Sequence, residues 1–224
     1  MSRKWVLLLI PGVASLVLVA TVHGGGWSLV TVTKFPDYAV AGKPLNLTFK
    51  VWVPSLEPLL NLQPDVRATN KKGRAIKVRA KTGAATGEYT AGLTLPEPGD
   101  WVITFDTEYP DAATMPPLKA IAPGTPPPSP VPLAGRGLRL FTTKGCNGCH
   151  THEDVEGRLY GPDLSGKRFP AEYLERFLAD PSITPVPDVV CSKDRSYCGS
   201  PYAMPNLKLK NAEIEALIAF INKK

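Results

Sequence analysis

The sequence predicts a multi-domain chain: an N-terminal transmembrane helix, an all-β sandwich and a small all-α domain, in that order. Three observations carry this expectation. Trp5 to Val22 runs without a charge. Residues 27–120 hold short runs in which apolar and polar side chains alternate, each run broken by turn residues. Residues 134–224 repeat apolar side chains at helical spacing around the pentad Cys146-Asn147-Gly148-Cys149-His150.

Composition bounds the function. An apolar share of 43% and a charged share of 21% are those of a folded chain. The net charge of +6 raises the question of nucleic acid. Its distribution excludes that partner: residues 27–122 carry 11 basic against 9 acidic side chains, and residues 134–224 carry 13 against 11. No long basic stripe interleaved with aromatics appears. The local run from Lys71 to Lys81 reads as one solvated hairpin, with partner docking there as the lesser reading.

Residues 1–26 come first. Arg3 and Lys4 precede the uncharged stretch, and His23-Gly24-Gly25-Gly26 follows it. The alternatives are a cleaved secretory signal and an uncleaved anchor. No small-x-small triplet closes the stretch, and its length approaches the roughly 20 residues needed to span a bilayer. An anchor is therefore favoured, with the positive end in the cytoplasm and the domains in the periplasm or another extracytoplasmic space. The cysteine usage suits that oxidising side.

In residues 27–120, Leu45, Leu47, Phe49, Val51 and Val53 alternate with polar or amphipathic neighbours, the signature of a half-buried strand. Further strands are expected at Leu29–Thr33, Val66–Asn70, Ile76–Ala80, Glu88–Leu95 and Trp101–Tyr109, separated by Gly, Pro, Asn and Asp turns. Short strands at this spacing suggest an immunoglobulin-like sandwich. The stretch from Gly87 to Trp101, with Pro96-Glu97-Pro98-Gly99 at its turn, resembles the closing hairpin of the YtkA-like/FixH-like sandwich family. Blue copper needs two His and a Cys. Between Gly24 and Cys146 there is neither, and Met115 is the only methionine. A spacer or docking module is the expected role.

Residues 121–133 hold six prolines. Such a segment favours extended polyproline II and predicts a semi-rigid linker that holds the two domains apart while permitting some swing.

In residues 134–224, helices are expected around Gly137–Phe141, at Ala171–Ala179 and at Asn211–Asn222. The last places Ile214, Leu217, Ile218 and Ile221 at i, i+3, i+4 and i+7. The pentad reads as a c-type haem attachment site. Cys146 and Cys149 would bond the haem vinyl groups as thioethers, and His150 would take the iron from below. A zinc half-site wants a second Cys/His pair at close spacing, whereas Cys191 and Cys198 have no histidine near them. In an exported protein that pair is expected to form a disulfide before the distal ligand. A low-spin haem needs a second strong axial ligand. Met204, the one methionine after Met115, fills that role by elimination. His152 is too close to His150 to reach the opposite face and is expected at the surface.

Together, Gly137…Phe141, Cys146–His150, Gly161-Pro162-Asp163-Leu164 and Tyr202-Ala203-Met204-Pro205 before a terminal helix resemble a class I monohaem cytochrome c. That resemblance implies a close crossing of the terminal helices at Gly137, against Leu217 or Phe220. It also implies that the Pro162 carbonyl receives the Nδ1–H of His150, and that one haem c is bound covalently. The function expected is single-electron transfer in a respiratory or photosynthetic chain, not catalysis. Partners would be a quinol-oxidising complex, a terminal oxidase or a photosynthetic reaction centre, with the membrane beside them and Lys144, Lys208 and Lys210 available to an acidic surface. The alternative is a haem enzyme or gas sensor with an open or labile sixth iron site.

Overall fold

The computed structural model describes residues 28–53, 56–110, 112–157, 161–182 and 204–223. They form a sheet-rich N-terminal part and a helical C-terminal part.

Among the described residues the sheet-rich part has ten strands: β1 (Leu29–Val32), β2 (Tyr38–Val40), β3 (Pro44–Trp52), β4 (Asp65–Asn70), β5 (Ala75–Arg79), β6 (Lys81–Thr82), β7 (Glu88–Thr94), β8 (Gly99–Asp106), β9 (Ala113–Thr114) and β10 (Leu118–Ile121). One sheet runs β1-β3-β7-β6; the other runs β2-β10-β8-β4-β5, with β9 on β8. Every pairing is antiparallel except β2 with β10. The alternation in β3 sends Leu47, Phe49 and Val51 inward. There Phe49 meets Phe105 of β8 at 4.7 Å between ring centroids, so the two sheets share one core. Two polar tips on core aromatics pin the connecting loops. The Tyr89 hydroxyl donates to Leu59 O (2.8 Å) and accepts from Leu62 N–H (3.1 Å). Trp101 Nε1–H donates to Glu97 O (3.1 Å), which ties down the Pro96–Gly99 turn.

The helical part holds α1 (Leu133–Thr143), a single 3-10 turn (Cys146–Gly148), α2 (Ala171–Ala179) and α3 (Asn211–Ile221). Phe141, Leu164, Leu174, Ile214, Leu217 and Phe220 belong to its core, which is separate from that of the sheets. α1 crosses α3 at Gly137, where an added Cβ would lie 2.0 Å from Ala216 O and 2.5 Å from Phe220 Cβ. The nearest atoms are therefore those of Phe220 and of the Ala216 backbone.

The expected fold class needs a correction at its first element. No helix among the described residues is long and apolar enough to cross a membrane. The longest, α1 and α3, have 11 residues each. At about 1.5 Å per residue each is about 16 Å long, half a bilayer core. The uncharged stretch that prompted the transmembrane expectation lies outside the described residues. So do Cys191 and Cys198, the expected disulfide.

A haem-attachment turn and its supports

The site is built where α1 ends. Gly145, in the left-handed region at φ 76°, turns the chain out of the helix. The 3-10 turn then brings both thiols and His150 together, with His150 N–H on Cys146 O (2.9 Å) and Cys149 N–H on the same oxygen (3.0 Å). A second strand of chain lies across this turn: Gly161 N–H donates to Cys149 O (2.7 Å) and Leu164 N–H to Thr151 O (2.9 Å).

That second segment orients the imidazole. Pro162 O lies 2.9 Å from His150 Nδ1. A carbonyl oxygen only accepts, so Nδ1 carries the proton and Nε2 keeps its lone pair. Gly161 backs the same ring: a Cβ there would lie 2.4 Å from Cε1 and 2.7 Å from Nδ1. Burial lowers the His150 pKa below its ordinary 6.5, against the Pro162 bond, which acts to raise it. The ring is thus neutral at pH 7, the form that binds a metal. Among the described residues nothing hydrogen-bonds Nε2. The resemblance names Gly161 and Pro162 together in its motif and gives Pro162 this role; what Gly161 does shows only in the fold, where it backs the ring.

The two thiols argue against a redox pair. Burial pushes Cys146 up to about 12 and raises Cys149 as well, whereas an attacking thiol has its pKa lowered. Among the described residues no group of three or more His, Cys, Asp or Glu is placed to hold a metal ion. Thioether formation to a haem asks only for two adjacent thiols on one rigid turn with a histidine beside them. The residues present fit that group.

Met204 is half-buried against the helical core. His152 overturns its expectation as a surface residue: it is only 2% exposed. Paired backbone bonds between His152 and Val155 (3.1 and 2.8 Å) fold the chain into a tight turn, which tucks the ring against Phe220 (centroids 4.2 Å apart) and near Phe141 (6.3 Å). Its Nδ1 accepts from Asp154 N–H at 3.3 Å. Lys144 is also less free than expected, because its Nζ pairs with Glu213 at 2.8 Å. Lys208 and Lys210 remain exposed.

Residues 134–224 match the family described as cytochrome c. They form a cytochrome c domain. That match supports haem c binding by these residues and a haem-based electron carrier. No curated protein matches the chain. Among solved structures it is similar to the alpha-2-macroglobulin of E. coli (14% identity over 47% of this chain and 6% of that one, TM-score 0.36). It is also similar to a Salmonella alpha-2-macroglobulin mutant (13%, 46% and 7%, TM-score 0.37) and to the E. coli adhesin FdeC (22%, 44% and 32%, TM-score 0.33). The chain spans a third or less of each.

One ion pair of the cytochrome c domain titrates. Burial works to raise the Glu213 carboxyl, but the Lys144 hydrogen bond, the Lys210 N–H (2.9 Å) and both lysine charges outweigh it, so its pKa is lowered. A depressed carboxylate contributes stability above its ordinary value of 4.5, and this is lost as pH falls through the folded value. Urea unfolding of the domain is therefore expected to weaken more between pH 6 and pH 3 in the native chain than in Glu213→Gln. Equal losses would show that this pair adds nothing.

Proposed function

We propose that the chain carries single electrons through one haem c, bound covalently by Cys146 and Cys149 and ligated axially by His150 and Met204. The observation that carries this reading is the His150 ring, fixed by the Pro162 carbonyl and backed by Gly161, with the proton on Nδ1 and Nε2 hydrogen-bonded by none of the described residues. When bound, the haem supplies a one-electron ferric/ferrous couple. His150 holds its orientation through the change of charge, because Nδ1–H stays on Pro162 O and the ring has no room to swing toward Gly161. Met204 would be the second residue to hold the iron, and its thioether would favour the ferrous state.

Thiols meant for thioether formation suit an oxidising compartment, so both folded parts belong on the extracytoplasmic side. Partners there are redox proteins of a respiratory or photosynthetic chain: a quinol-oxidising complex, a terminal oxidase or a reaction centre. The exposed Lys208 and Lys210 offer such a partner a cationic surface. The sheet-rich part, through its resemblance to YtkA-like/FixH-like sandwiches, serves as a docking module rather than a second chemical centre.

The test is spectroscopic. The purified chain should keep a haem stain on a denaturing gel, gain the mass of one haem and show the red thioether-to-iron band when ferric. Met204→Leu should lose that band, bind cyanide quickly and drop in midpoint potential by on the order of 100 mV or more. Rapid cyanide or CO binding by the native protein would sink the carrier reading.

A further inference from the structure

The haem-attachment turn does not stand clear of the sheet-rich part. In β1, Val30 and Val32 enter the sheet core, so Leu29 points to the opposite, outer face. An outer side chain at the edge of a sheet is ordinarily wet. Leu29 is only 6% exposed, yet it belongs to neither hydrophobic core. Gly145, the residue before Cys146, lies against it. A Cβ there would lie 2.9 Å from Leu29 Cδ1 and 3.2 Å from Val30 O.

A second contact locks the same two surfaces. Arg139 leaves α1 six residues earlier and is 17% exposed. Its Nη1 donates to Pro36 O at 3.0 Å and its Nη2 to Asp37 O at 3.2 Å, with the Asp37 carboxylate 3.5 Å away. Both main acceptors are backbone carbonyls in the β1–β2 loop, which no side-chain rotation can withdraw. A planar guanidinium fork that reaches two such oxygens fixes orientation as well as distance.

The geometry points to a fixed wall: β1 and its loop are docked on the haem-attachment turn, and Arg139 is the positioning residue that holds them there. Resting on the haem reading above, this closes the haem corner bonded through Cys146. A redox partner must then approach by another edge. The proline-rich linker works as a strap between docked parts, not as a spacer that lets them swing.

Hydrogen exchange of the full haem-loaded chain, read by mass spectrometry, tests the dock. Haem reduction by ascorbate tests the shield. In Arg139→Ala, exchange is expected to rise several-fold in peptides covering 28–38 and 139–150 and to stay unchanged across 65–106, while ascorbate reduces the haem several-fold faster. Leu29→Asp, which leaves the clamp but charges the contact, should do the same, and Arg139→Lys should fall between Arg139→Ala and the native chain. If neither variant alters exchange in the two peptides, the dock is overturned. Should exchange rise while reduction keeps its native rate, the shield is overturned. A chain without a haem stain defeats the haem reading instead, and its exchange pattern still decides the dock.

Discussion

Replacing Gly137 by valine is expected to unfold the cytochrome c domain while leaving the sheet-rich part folded. The added Cβ would lie 2.0 Å from Ala216 O, a backbone atom in the middle of α3, and 2.5 Å from Phe220 Cβ. Neither can rotate away, so the helices must part. Removing a helical glycine returns at most about 1 kcal/mol in propensity, less for a β-branched residue. Overpacking costs about 1–3 kcal/mol where side chains can adapt and more where backbone must move. The net loss is therefore expected to reach about 3 kcal/mol or more, a large part of the margin of a domain of this size. Separation also strips the cover from Phe141, Phe220 and His152, which share that crossing. All four tryptophans precede the linker, and Trp52 and Trp101 lie in β3 and β8, so a change in tryptophan fluorescence reports on the sheet-rich part and not on the helical one. Helical circular dichroism follows the other part. A Gly137→Val chain with native urea midpoints by both probes would contradict the crossing.

Gly161→Val is expected to cost the haem its proximal ligand without costing the chain its haem. The new side chain would intrude on His150 Cε1 and Nδ1, and the ring can yield only by leaving Pro162 O. Loss of such an outer partner weakens metal binding about 10–100-fold. Cys146 and Cys149 are untouched, so the haem stain on a denaturing gel should persist while the ferric spectrum turns high-spin. Gly161→Ala should produce a smaller high-spin fraction of the same kind. A fully low-spin Gly161→Val protein would show that the loop gives way instead of the ring, and that Gly161 has no part in holding His150.

Much of the fold was legible because local rules set it. Strand β3 reads directly from its period of two, and α3 from Ile214, Leu217, Ile218 and Ile221. Strands β2, β6, β9 and β10 are absent from the sequence expectation. They have two to four residues each, too few to show a period, and the parallel pairing of β2 with β10 joins positions some 80 apart. The transmembrane expectation failed as part of the fold class for a different reason: an uncharged run states only what a segment avoids, not the structure it takes.

The chemistry of the site was written into residue order. Two cysteines, a histidine and a later Gly-Pro pair name the group they suit wherever the chain goes, because bonding to a haem depends on residue type and short spacing. Tertiary structure decided everything that depends on distant neighbours. His152 is polar by type, yet a turn closed at Val155 buries it against Phe220. Arg139 looks like one more solvated cation, but it meets carbonyls about a hundred residues away. Leu29 looks like an outer-face residue, yet it is buried, with Gly145 packed against it. Burial and contact are properties of the folded arrangement, and a sequence states them only where its own neighbours within a few residues supply them.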